Sequence, residues 1–337
     1  AGGHHSASCR GVIVAARFAF LAAALSTVHL GPWGARPGRD GEAVAEALRL
    51  PSSPVAVLPV RWAPEPRRVR RLEEARRKGL FEMVDRCSTD ALLSEEELMW
   101  NREYEPEGSF KFWSLGSPKT ELVRLLEGPS VVLPEDGIAA AVLGCGLGLE
   151  VDYLARFSAS STPPSKAALH AIAGIDFALP AVKEARRSFG QTAGAFFYHG
   201  DVCDLPAPTV PLDLIVDNTV FQNLHGSERM DSYLEALRRI STPGHTVLHL
   251  NLMSKEGVEE RPDFASGMEY LNLPLLRKQE IHDALDEDWS LISVREGVYD
   301  LRPEGADFTC EAFYTFGGEA TPGIPSWWFL FIRKQPA

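Results

Sequence analysis

No C-x-x-C pair occurs in this 337-residue chain, and its five cysteines, Cys9, Cys87, Cys145, Cys203 and Cys310, are odd in number and scattered. That excludes a disulfide framework and a cysteine zinc site, and leaves free thiols of a reducing compartment. No metal centre is expected. No internal repeat is evident, which excludes a repeat array. Positive charge is scarce over most of the chain. Residues 1–99 hold 14 Lys/Arg against 12 Asp/Glu, but the remainder holds 20 against 34, giving a net charge of −12 overall. So acidic a body repels phosphate backbones at long range, which excludes nucleic acid as its partner and disfavours anionic lipid. Apolar residues, by contrast, are plentiful at 45%, enough for a substantial core.

The N-terminus has a different texture. Residues 1–39 contain four Arg and no acidic residue, and "GVIVAARFAFLAAALSTVHLG" (11–31) is apolar. Its uninterrupted run, 18–30, has the length of a signal-peptide core and is short for a membrane span. The Arg-rich, acid-free character also reads as an organellar transit peptide. An organellar address is expected, or a cytoplasmic one if this stretch is an ordinary buried helix. Membrane association is expected only through this stretch. Residues 31–66 hold seven prolines and read as a linker. The expected organisation is a targeting segment and linker over 1–66, a helical extension with a solvated face over 67–91, and the main domain over 92–337.

Within the main domain, strand-like and helix-like segments alternate. "AAAVLG" leads into "LEVDYLARF", which places Leu149, Tyr153, Leu154 and Phe157 on one helical face. "SASSTPPSKA" (158–167) is a loop by composition. "LHAIAGID" precedes the helix "LPAVKEARRSF", with Pro180 in its first turn. "GAFFYHGD" and "LDLIVD" are further strands. "ERMDSYLEALRRI" is a helix and "PGHTVLHLNLM" returns to a strand. Continuously apolar strands alternating with helices predict a parallel sheet covered on both faces. "WSLISVREGVYDL" and "SWWFLFIRK" lack an intervening helix and predict an antiparallel pair at the end of the sheet.

The chemistry gathers where strands meet helices. Glycines after the first strand let the backbone approach a ligand without a Cβ in the way. The following helix N-terminus offers free N–H groups to a pyrophosphate or a carboxylate. A dinucleotide fingerprint needs a small third residue, G-x-G-x-x-G/A, but Leu149 stands there. The sequence has Gly144, Gly146 and Gly148 instead, a spacing also compatible with a purely structural βα turn. Asp176 ends the second strand, placed to accept both hydroxyls of a ribose or to cap the next helix. Asp201 follows the third strand, placed to accept from an adenine amino group, with Val202 or Leu205 beside the ring, or to make a local Asx turn.

These features, in the order "VLGCGLG", "AGIDFALPAVKEAR", "FFYHGDVCDLP", "LDLIVDNTVFQNL" and "YLEALRRISTPGHTVLHL", resemble a class I S-adenosylmethionine-dependent methyltransferase from Trp100 to Lys334. The resemblance implies a doubly wound α/β fold, a mostly parallel seven-stranded sheet with its last strand reversed, here with an N-terminal extension. It implies S-adenosyl-L-methionine as cofactor. Gly144, Cys145, Gly146 and Gly148 would line the methionine moiety, Asp176 and Phe177 the ribose and adenine, and Asp201 and Val202 the adenine. Asp217, Asn218 and Thr219 end the fourth strand, near the methyl group. Trp113 resembles an N-terminal aromatic that covers the cofactor, where a ring beside a sulfonium contributes about 0.5–2 kcal/mol; core packing is its other reading. The family usually has an acidic residue two positions before the first glycine. Here that residue is Val142.

"FKFWSLGSPKTELVRLL", "VDNTVFQNLHGSERMDSYLEALRRI" and "GIPSWWFLFIRK" are similar to the thiopurine-methyltransferase-like group, which implies a small thiol or similar soft nucleophile as acceptor and in-line transfer by a monomer. A thiol needs no dedicated base. A hydroxyl or amine would, with Asp217 and His225 as candidates and Arg229 to orient an anionic substrate. His225 as a loop residue and Arg229 as a surface cation are the alternatives. A protein-lysine methyltransferase, a non-catalytic S-adenosylmethionine-binding protein and a nicotinamide oxidoreductase are the competing functions.

Overall fold

The computed structural model describes residues 59–62, 65–83, 94–105, 116–157, 168–260, 274–300, 313–316 and 319–336. The apolar N-terminal stretch, most of the linker, Trp113 and the loop 158–167 lie outside the described residues. Among the described residues no helix is long and apolar enough to cross a membrane.

The apolar runs form a sheet whose five parallel strands are β3 (Ala139–Leu143), β4 (Ala171–Asp176), β5 (Ala195–His199), β6 (Leu214–Asn218) and β7 (Val247–Met253). The two C-terminal segments are β8 (Trp289–Asp300) and β10 (Glu319–Arg333). β10 runs antiparallel to both β7 and β8, giving the order β5-β4-β3-β6-β7-β10-β8. This is the expected reversed strand, and it lies between β7 and β8. A short β9 (Phe313–Phe316) pairs with β10, and two-residue strands β1 (Val60–Arg61) and β2 (Val131–Val132) pair apart from the main sheet.

The period-2 alternation feeds two cores. Leu248, Leu250 and Leu252 of β7 and Trp327, Phe329 and Phe331 of β10 point to one face. That face is covered by α1 (Arg68–Lys78), α6 (Val220–Leu224), α7 (Met230–Ile240) and α8 (Lys278–Leu285). Val142, Leu214, Val216 and Leu330 point to the other, under α3 (Thr120–Glu127), α4 (Leu149–Arg156) and α5 (Leu179–Phe189). The helix α4 buries Val151 and Leu154, with Tyr153 and Phe157 only partly covered. Its buried face is therefore rotated from the expected one, because Val151 rather than Leu149 meets the sheet.

The extension also differs from a solvated helix. α1 buries Leu72 and Ala75, and Leu80 and Phe81 follow them into the core. Arg68 is buried as well. Its Nη1 donates to Asp213 Oδ1 at 2.7 Å, while Asp213 Oδ2 accepts from Ala139 N at 2.9 Å. This helix is thereby fastened to the amino ends of β3 and β6. At the opposite, carboxyl end, a short helix α2 (Glu95–Glu103) lies across the strands, started by a Ser94–Glu97 capping box.

Candidate active site

The carboxyl ends of β3, β4 and β6 converge on the glycine turn. Gly144, Gly146 and Gly148 all have positive φ, 63°, 51° and 85°. At Gly146 the restriction is also spatial, because a Cβ would lie 2.9 Å from Tyr104 Oη. At Gly148, the N-cap of α4, it would lie 2.6 Å from the Phe197 ring. Cys145 contributes backbone to the turn and a long thiol contact, Sγ to Gly146 O at 3.9 Å. Its side chain is buried against Gly174, and burial pushes its thiol pKa well up.

Asp176 is held by two backbone donors: Gly146 N to Oδ2 and Ala178 N to Oδ1, both at 2.7 Å. Each oxygen keeps a second lone pair. The carboxylate thus locks the turn to β4 and can still accept two hydroxyls. Burial raises its pKa to about 6 against those donors. Asp201 makes the Asx turn, its Oδ1 accepting from Cys203 N at 2.9 Å and from Arg229 Nη2 at 2.5 Å. Its Oδ2 has no hydrogen-bond donor among the described residues and is open to a ligand. Val202 is buried behind it, at the start of a 3-10 turn.

Arg229 is not a loose cation awaiting an anion. Nη1 pairs with Glu96 of α2, Nη2 with Asp201, and the guanidinium lies 5.2 Å from the Phe177 ring centroid. Asp217 is likewise placed differently from a candidate base. It is fully buried, and its carboxylate accepts from Val220 N, Phe221 N and the Tyr233 hydroxyl. Burial holds its pKa up at about 6, and these contacts start α6 and brace α7. His225 caps the C-terminal end of α6 and stacks on Phe221 with centroids 5.9 Å apart. Asn218 faces the second layer, its Oδ1 accepting from Asn251 Nδ2 at 2.6 Å. Between Asn218 and α6 stands Thr219, the described non-glycine residue with positive φ, 76°. A β-branched residue held there stores about 1–3 kcal/mol and marks a site under constraint.

Sequence reasoning missed the contribution of α2 and its flanks. Asn101 Oδ1 accepts from Leu179 N at the start of α5, at 2.9 Å, and Glu96 meets Arg229. Tyr104, half-buried, then meets the glycine turn, with Asp176, Cys145, Glu150 and Tyr299 pushing its pKa further up after desolvation itself. The capping signature S-x-x-E before "LMW" is the sequence signal that would have located this helix.

These residues fit a cofactor composed of an amino-acid end, a ribose and an adenine. A turn with no room for side chains and the N-terminus of α4 face the first. Asp176 with open lone pairs suits the ribose, and Phe177, Val202 and Asp201 Oδ2 suit the base.

Residues 142–248 match the family model described as a methyltransferase domain. No curated protein is similar enough in sequence to count as a relative. Among solved structures, one describing the conversion of a disulfide bond into a thioacetal group during echinomycin biosynthesis superposes with a TM-score of 0.53 at 20% identity. It covers 72% of this chain and 95% of that one. The N-methyltransferase NodS from Bradyrhizobium japonicum, in complex with S-adenosyl-L-homocysteine, gives a TM-score of 0.48 at 14% identity over 72% of this chain and 100% of its own. Residues 142–248 thus carry a methyltransferase domain on an α/β Rossmann-like fold, and the residues of the site fit S-adenosylmethionine as cofactor.

Proposed function

We propose that the protein methylates a small-molecule nucleophile, a thiol or a similarly soft group, as in the thiopurine-methyltransferase-like group that its motifs resemble. The observation that carries this reading is the state of Asp217. The carboxylate best placed by sequence to serve as a base is fully buried and already accepts three hydrogen bonds. His225 closes a helix and stacks on a ring, and Arg229 is held by two carboxylates. An acceptor that needs its proton removed finds no free base among these three. A free thiol, with a pKa of about 8.5, is already partly ionised at neutral pH.

When bound, S-adenosylmethionine supplies an electrophilic methyl group on a sulfonium. The chain's own residues orient and enclose. Asp176 accepts the ribose hydroxyls, and Asp201 Oδ2, Phe177 and Val202 receive the adenine. The glycine turn lines the amino-acid end, with Tyr104 closing over it. Asn218, fixed by Asn251, stands at the strand end beside the reacting groups. Alignment of this kind contributes several kcal/mol without covalent help, up to ~7–11 in the best intramolecular cases.

The test uses the full chain and methyl-labelled S-adenosylmethionine with a panel of aryl and alkyl thiols, lysine-containing peptides and hydroxylated metabolites. Label transferred to thiols is the expected result. Transfer to lysine peptides alone would replace this reading with protein methylation. Saturable cofactor binding without transfer to any of them would make the protein a non-catalytic binder.

A further inference from the structure

The amino-acid end of the cofactor carries an α-ammonium group, and Val142, 1% exposed in the sheet, offers it no charge. A carboxylate does stand by the turn. Glu150 occupies the first turn of α4, two residues past Gly148. It follows the glycine turn directly in the chain, and its charge helps to raise the pKa of both Tyr104, which covers Gly146, and Cys145.

Glu150 also has an unusual set of partners. Its Oε1 accepts from Lys119 N at 3.2 Å. No cationic side chain forms an ion pair with it among the described residues. The cation whose charge acts on it, Lys119, has its Nζ donating to Asp300 O at 3.1 Å and 4.1 Å from the Tyr299 ring centroid. Burial, not fully offset by Lys119 and the backbone donors, raises the Glu150 pKa above the ordinary carboxylate value. The side chain is nonetheless only partly covered by protein, so it keeps an open side. Carboxylates taken out of water are ordinarily paired, and this one has an approach route while the Lys119 ammonium, whose charge acts on it, forms no ion pair with it. The other carboxylate on the turn, Asp176, is bound to the backbone of Gly146 and Ala178 and assigned to the sugar.

We propose that Glu150 is the anionic partner of the cofactor's α-ammonium group, supplying from the first turn of α4 the charge that Val142 does not. This rests on S-adenosylmethionine as the cofactor, and it adds a specificity element: the crevice selects nucleosides that carry a zwitterionic amino-acid tail. The N-terminus of α4 faces the carboxylate of that tail, so the two charges of the zwitterion meet opposite signs a few ångströms apart on one helix turn.

The test measures binding of S-adenosylhomocysteine, of an analogue lacking only its α-amino group, and of 5′-methylthioadenosine, which lacks the whole amino-acid end. Binding to the full-length protein and to Glu150→Gln is followed by calorimetry, with thermal unfolding of both as a check on folding. The expected result is at least a tenfold loss of S-adenosylhomocysteine affinity in E150Q, with 5′-methylthioadenosine unchanged within about twofold. The deaminated analogue should bind wild type and variant alike, because the variant has nothing further to lose. Equal loss for all three ligands, or unchanged S-adenosylhomocysteine affinity, would overturn the assignment. Wild-type protein that binds 5′-methylthioadenosine but gains nothing from the amino-acid end overturns it while leaving the crevice intact. Wild-type protein that binds none of the three overturns the cofactor assignment itself.

Discussion

The two ends of the sheet treat a buried aspartate in opposite ways. At the amino end, Asp213 meets the equally buried Arg68 at 2.7 Å, with His245 Nε2 3.0 Å away, and takes the first amide of β3. At the carboxyl end, Asp176 and Asp217 are just as enclosed but meet only backbone N–H groups and one phenol. One end neutralises its charge within the fold. The other leaves charge that only dipoles offset, with pKa values pushed up to about 6. The amino end is a fastening and the carboxyl end is the candidate site, and both are built from aspartates at strand ends. The linkage follows in sign. Native Asp176 and Asp217 hold protons that the unfolded chain, with a carboxylate pKa of about 3.9, has already lost. Their contribution to stability therefore falls as pH rises from about 4 to about 6.

The largest effect that can break this contrast is at the fastening. Arg68→Met takes from Asp213 its buried guanidinium, leaving the carboxylate only His245 and one amide, and should cost about 3–5 kcal/mol, read by urea unfolding at neutral pH. A loss no greater than that of a surface substitution, within about 0.5 kcal/mol, would mean that the amino end is no more committed than the carboxyl end. Because Leu72, Ala75, Leu80 and Phe81 belong to the same core, removing residues 1–90 should be more damaging still.

At the site, Asp176→Asn can keep only one of the turn's two amide bonds, since one oxygen remains and the new NH2 group cannot accept, and it removes the charge proposed to receive the ribose. Hydrogen bonds to a charged group contribute about 1.5–3 kcal/mol each, so S-adenosylhomocysteine affinity should drop by about 10- to 100-fold at pH 7.5. Wild-type affinity should fall as pH drops through 6, because the ligand prefers the ionised carboxylate, and the variant should show no such fall. A wild-type titration flat from pH 5 to 8 would remove Asp176 from the ribose and return it to a purely structural cap.

Much of this architecture is legible in the sequence, and the reason is periodicity. Strands with both faces apolar, such as "TVLHLNLM", can sit only in a doubly covered sheet, and the glycines could be placed because three positive-φ positions tolerate little else. What the sequence could not reveal is how side chains divide their labour across long separations. Asp217 and Arg229 look like catalytic residues by position, yet their partners, Tyr233 and Glu96, are fixed by helices packing from elsewhere. Arg68 reads as one of many surface cations in "RRVRRLEEARRK", and only the register of α1 against the sheet buries it. Tyr104 and Glu150 carry no motif at all. They matter because a helix from outside the sheet and the turn meet above Gly146.

That meeting supplies the smallest and most discriminating comparison. Arg229 belongs to the carboxyl end but behaves as the amino end does, pairing carboxylates from two elements, Glu96 on α2 and Asp201 beside β5. It is only partly enclosed, its side chain 29% exposed, so each pair should be worth about 0.2–1 kcal/mol. Arg229→Met should thus weaken S-adenosylhomocysteine binding about three- to tenfold and loosen α2, with faster amide exchange across residues 94–105 and little change in global unfolding. The loss should shrink in high salt, because the pairs it removes are screened. A gain in affinity would carry a different lesson. It would mean that Asp201 serves the adenine better once released, and that Arg229 competes with the ligand for that carboxylate instead of holding it in place.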